Sequence, residues 1–117
     1  MEQQTNDKMI LAILQGDDYD SVVRELNKNG FYVTLLNTMG GFLRKRSVTI
    51  MIGLESARLD AALAILKKRA GQRTETVYRS IMPPHISEPS MMPTVPLQVS
   101  CGGVTVFVLD VSKMEHF

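Results

Sequence analysis

The sequence predicts an α+β domain in which a mainly antiparallel sheet carries two helices on one face. Segments of period 2 and period 3.6 follow one another in the order βαββαβ, with added strands toward the C-terminus. The chain has 117 residues, enough for one core and too few for two. Its 44% hydrophobic and 21% charged residues match a folded domain rather than a disordered segment.

Residues 1–8 (MEQQTNDK) are polar and read as a flexible N-terminal extension ahead of a domain at 9–117. Met9 to Leu14 (MILAIL) is an apolar run of strand length, and Gly16, Asp17 and Asp18 supply a turn and a helix N-cap. Tyr19, Val22, Val23 and Leu26 fall at i, i+3, i+4 and i+7, the stripe of an amphipathic helix closed by Asn29 and Gly30. From Phe31 to Thr38 the chain alternates, with Phe31, Val33 and Leu35 on one face and Tyr32, Thr34 and Leu36 on the other. Gly40 and Gly41 break this strand, and Ser47 to Leu54 forms the next, a hairpin partner that places Val48, Ile50, Ile52 and Leu54 together.

Ser56 is placed to cap a second helix whose inward stripe is Leu59, Leu63, Leu66 and Ala70. Lys67, Lys68 and Arg69 complement its negative end, and Gly71 stops it. A fourth strand is expected over Thr74 to Ile81. Residues 82–96 (MPPHISEPSMMPTVP) hold all five prolines without a sustained period and read as a long mobile loop. Leu97 to Ser100 and Val104 to Leu109 are expected as paired strands, with Gly102 and Gly103 as the tight turn between them.

A sheet covered on one side only should be polar on the other, yet the first and last strands are apolar on both faces. Leu36, Met51, Phe107 and Leu109 project from the uncovered side. A second copy packing there is the simplest cover, so a homo-oligomer is expected; the alternative is that the long loop folds back over the same face.

The net charge of +1 provides no global field for a nucleic-acid polymer or an anionic membrane. One cysteine, Cys101, excludes an internal disulfide; with no secretion signal or apolar run of membrane-spanning length, a cytoplasmic location is expected. His85 and His116 are isolated, no nucleophile–base grouping is visible, and no ligand spacing suits a metal, so neither an enzyme nor a cofactor is expected. The segment from Thr38 to Arg46 (TMGGFLRKR) differs. Paired glycines expose backbone N–H groups, basic side chains attract phosphate and Phe42 offers a stacking face, a combination that suits a nucleotide; the same residues also suit an ordinary turn with a solvated basic tip.

Thr38 to Leu43 (TMGGFL), Thr49 to Gly53 (TIMIG) and Gly102 to Leu109 (GGVTVFVL), in this order, resemble the cyclic-di-AMP receptor family of PII-like signalling proteins. The resemblance covers nearly everything after Lys8. It implies a homotrimer of ferredoxin-like subunits, with cyclic-di-AMP or a related adenine nucleotide in the clefts between neighbours and the 82–96 loop relaying the bound state to a downstream protein. It also implies that Thr34, Gly40, Gly41, Phe42, Leu43, Gly53 and Phe107 line the cleft. The chain departs from the family pattern at Tyr32, where a basic residue is usual, at Ser47, where an asparagine reads adenine, and at His116, where a glutamine is usual. Arg44 is placed to grip phosphate in compensation. Two other readings follow from the same residues: an interaction scaffold whose pocket has changed, and a nucleotide hydrolase using His85 or Glu88 across an interface.

Overall fold

The fold is described by a computed structural model over residues 6–36, 46–80 and 94–117. Its elements are β1 (Lys8–Gln15), α1 (Tyr19–Lys28), β2 (Val33–Leu36), β3 (Ser47–Leu54), α2 (Leu59–Ala70), β4 (Arg73–Ser80), β5 (Thr94–Cys101) and β6 (Val104–Asp110). Single 3₁₀ turns, Gly16–Asp18 and Ser56–Arg58, lead into the two helices. No helix among the described residues is long and apolar enough to cross a membrane.

Four strands form an antiparallel sheet in the order β2-β3-β1-β6, and β4 and β5 form a separate two-stranded ribbon. The core lies between sheet and helices. Ile10, Ala12 and Leu14 of β1 and Ile50, Ile52 and Leu54 of β3 pack with Val22, Leu26, Phe31, Ala62, Leu66 and Ala70. Every second residue of these strands is buried, as the pleat requires. α1 ends as expected: Gly30 has φ +83°, and the Phe31 N–H donates to the Leu26 carbonyl at 2.9 Å, turning the Phe31 ring into the core.

Several expectations are corrected. Lys8, assigned to the N-terminal extension, opens β1, and Asn6 and Asp7 make defined contacts; residues 1–5 lie outside the described residues. The inward stripe of α2 is Ala62, Leu66 and Ala70, with Leu59 and Leu63 only partly buried at its margins. The Ser56 N–H is bound at 2.8 Å by the carboxylate of Asp7, and no side-chain cap bond forms at the N-cap of the Ser56–Arg58 turn or of α2. Thr94, Val95 and Pro96, assigned to the loop, belong to β5; proline is tolerated there because a two-stranded ribbon has free edges. The rest of the loop, residues 82–93, lies outside the described residues.

The largest correction concerns Gly102 and Gly103. They do not turn a β5–β6 hairpin: β5 pairs with β4, and the glycines carry the chain from the ribbon back to the sheet, where β6 takes the edge beside β1. Both have positive φ, +81° and +115°, and a Cβ at Gly102 would lie 2.2 Å from the Gly71 carbonyl oxygen. The crossing is fixed by the Gly103 N–H donating to the Ala70 carbonyl at 2.8 Å and the Gly102 N–H donating to Gln15 Oε1 at 3.3 Å. Gly102→Ala is therefore expected to lower stability by about 1–3 kcal/mol in urea denaturation, more than a surface Gly→Ala change.

Candidate functional site

The sheet face opposite the helices carries the residues of interest. The strand registers align Thr34, Met51, Leu11 and Phe107 as one row across it, with Gly53, Met9 and Leu109 in a neighbouring row. Phe107 is 51% exposed, and Ile13 and Leu109 are also exposed, so this face is apolar and open in the single chain. Thr34 and Phe107 share the face from opposite edges. Three strand spacings separate them, about 14 Å, too far to close on one small ligand within one chain.

At the β2–β3 edge the face deepens into a cavity of about 340 Å³. Tyr32, Thr34 and Gly53 line it together with Asn6, Glu55, Arg58 and Met114. Each is placed by simple causes. Phe31 turns inward, so alternation sends Tyr32 outward, where it is 81% exposed. Gly53 leaves the cavity wall without a side chain; a Cβ there would stand 3.3 Å from the Asn6 amide nitrogen. The Arg58 guanidinium lies over the Phe31 ring, 4.1 Å from its centroid, and donates to the Asn29 carbonyl at the end of α1.

Asp7 joins the ends of β1, β3 and β6 beside this cavity. Its carboxylate accepts the Ser56 N–H, which holds the carboxyl below its ordinary pKa, and its carbonyl accepts the Val111 N–H at 3.0 Å. Asn6 and Met114 reach the cavity as a result. A second concavity of about 370 Å³, between α2 and β6, is lined by none of the predicted site residues that are described, and Lys67 is the one charged residue among its described lining residues.

Of the predicted residues, the structure brings Tyr32, Thr34 and Gly53 together. Phe107 stands on the same face at the far edge. Ser47 also lies on that face, but at the other end of β3 from Gly53, about 20 Å along the strand. His116 is exposed, in the segment after β6, and does not line the cavity. Gly40, Gly41, Phe42, Leu43 and Arg44 lie outside the described residues. Asn6, Glu55, Arg58 and Met114 were not anticipated, because no local motif marks them: they converge only through the fold. Among the described residues no cluster of His, Cys, Asp or Glu could hold a metal ion.

The family model for the cyclic-di-AMP receptor matches residues 7–117, nearly the whole chain. The chain belongs to the cyclic-di-AMP receptor family. This agrees with the resemblance carried by the TMGGFL, TIMIG and GGVTVFVL segments, and it assigns the chain to PII-like, nucleotide-binding signal-transduction proteins rather than to an enzyme family. A crystal structure of a functionally unknown protein from Pediococcus pentosaceus ATCC 25745 is similar over 97% of this receptor-family chain and 100% of that one, with 32% identity and a TM-score of 0.72. The receptor family thus has a member here in which Tyr32, Thr34 and Gly53 share one cavity at a sheet edge.

Proposed function

We propose that the protein is a signal receptor that binds cyclic-di-AMP, or a related adenine nucleotide, in clefts between the subunits of a homotrimer. The supporting observation is the row from Thr34 to Phe107 across one open apolar face. Its two ends meet at a single ligand only if the β2 edge of one copy approaches the β6 edge of another, which also covers the apolar face. Tyr32, Thr34 and Gly53 supply one wall of the cleft and Phe107 the opposite wall. Gly40, Gly41, Phe42 and Leu43, which immediately precede Arg44, complete the set by family resemblance, and the proline-rich segment before β5, residues 82–93, passes the bound state to a downstream protein.

The test is an isothermal titration with cyclic-di-AMP, with cyclic-di-GMP and ATP as controls, beside sedimentation of the free protein. Binding near one ligand per subunit and a trimer are the expected results; a monomer, or no heat with any nucleotide, overturns the reading. Gly53→Leu directs a side chain into the cavity from a face that is not part of the core. It is expected to weaken binding about ten- to a hundredfold with little change in melting temperature.

The ribbon supports a second reading, that of an interaction scaffold acting without nucleotide. Val77, Leu97 and Val99 are exposed on one face of the ribbon and Tyr78, 70% exposed, on the other, so both faces leave apolar side chains open. A partner captured equally well with and without cyclic-di-AMP favours the scaffold.

A further inference from the structure

We infer that Arg58 is the phosphate-gripping and charge-selecting residue of the cavity beside Tyr32, Thr34 and Gly53, an assignment that rests on the reading of this cavity as a dinucleotide site. A cyclic dinucleotide brings two phosphodiester charges, which a cationic donor in the site stabilises. Among the described residues lining the cavity Arg58 is the only cation, and Glu55 is the only anion. Without Arg58 the described wall would be net negative and would repel the ligand.

The geometry prepares Arg58 for this task. Its guanidinium is stacked on the Phe31 ring, and Phe31 is only 3% exposed, so the platform beneath it is rigid. The Asn29 carbonyl, at the negative end of α1, accepts a bond from Nη2. One bond and one stacking contact fix the plane of the fork. Asn29 takes one of five N–H donors, and the others have no acceptor among the described residues. A planar fork held in this way matches a phosphodiester in a bidentate arrangement, at lower ordering cost than a free arginine. Tyr32 at the rim adds a ring near the same cavity, a surface for a base.

Arg58 also closes the end of α1, so a change there affects folding as well as binding, and the test must separate the two. Titrations with cyclic-di-AMP across a range of KCl concentrations are compared for the wild type, Arg58→Gln, Arg58→Lys and Glu55→Gln, each checked by thermal melting. Arg58→Gln is expected to bind about ten- to a hundredfold more weakly and to lose part of the salt dependence, because one ionic contact is gone. Arg58→Lys keeps the charge but loses the fork; it should retain the wild-type salt dependence and bind severalfold more weakly. Glu55→Gln should bind more tightly at low salt.

Arg58→Gln at wild-type affinity, or weakened with an unchanged salt dependence, assigns Arg58 a structural role and overturns the inference alone. If Arg58→Gln does not fold, Arg58→Lys decides: wild-type affinity in that variant overturns the assignment. A wild-type protein that binds no cyclic-di-AMP overturns both this inference and the reading beneath it.

Discussion

Arg73→Met is expected to destabilise the protein by about 3–5 kcal/mol in urea denaturation at a fixed protein concentration, one of the two largest losses from a single substitution. Asp18 ends the turn before α1 and is 5% exposed. Its carboxylate oxygens accept from Arg73 Nη2 at 2.6 Å and Nη1 at 3.3 Å. Arg73 also donates to Glu75 at 2.9 Å and to the Gly71 carbonyl at 3.1 Å, and the bonds to Asp18 and then Glu75 hold its pKa above the ordinary arginine value. The pair is asymmetric. The Arg73 side chain is one-third exposed and could be solvated alone, whereas Asp18 could not, so removing the arginine strands a buried charge.

Asp18→Asn combined with Arg73→Met removes both charges and should cost less than Arg73→Met alone. Equal losses in the single and double variants would mean that the stranded carboxylate is not the cause. Because Arg73 opens β4, the same pair anchors the ribbon to the body of the protein. The loss of Arg73 should therefore raise amide exchange over β4 and β5 before it does so in β1 and β3.

Leu66→Ala is expected to cost about 2–5 kcal/mol and to lower the melting temperature by about 10–20 °C. Leu66 is fully buried on the inner face of α2, within the core cluster that includes Ile10, Leu14, Ile50 and Ile52, so truncation leaves a cavity that close-packed neighbours fill only in part. Leu63, one turn toward the N-terminus and partly buried at the margin, provides the control. Leu63→Ala should cost about 1 kcal/mol, and equal losses at the two positions would contradict the observed stripe.

Wherever structure depends on neighbours in the chain, the residues could be read directly. β3 spans Ser47–Leu54 as its alternation indicates, α1 carries Val22 and Leu26 inward, and Asn29 and Gly30 end it as the turn chemistry demands. The pleat also separated the faces: Thr34 and Gly53 lie with Met51 and Phe107 on the open side, as their alternation with Val33, Ile50 and Ile52 implies. The site was legible to the same depth. Thr34 and Gly53 were named from family resemblance and pleat together and Tyr32 as a departure from the family pattern, whereas Arg58, Asn6 and Met114 carry no local mark.

The sequence by itself determined the α+β class, the core-facing row of β3, the end of α1 and the family, because each is encoded in periodicity, capping chemistry or short ordered motifs. Only the tertiary structure decided which strands pair. Gly102 and Gly103 specify a backbone free to take positive φ, but not whether that freedom serves a hairpin or a crossing from ribbon to sheet. The choice follows from contacts between distant residues: Arg73 with Asp18, Gly103 with Ala70, Gly102 with Gln15. The cavity is decided in the same way. Asn6, Tyr32, Gly53, Arg58 and Met114 come from positions 6 to 114 of the chain, and Asp7 joins the ends of β1, β3 and β6 through bonds to Ser56 and Val111. Local propensity records what a residue can adopt, and packing selects which partner it meets.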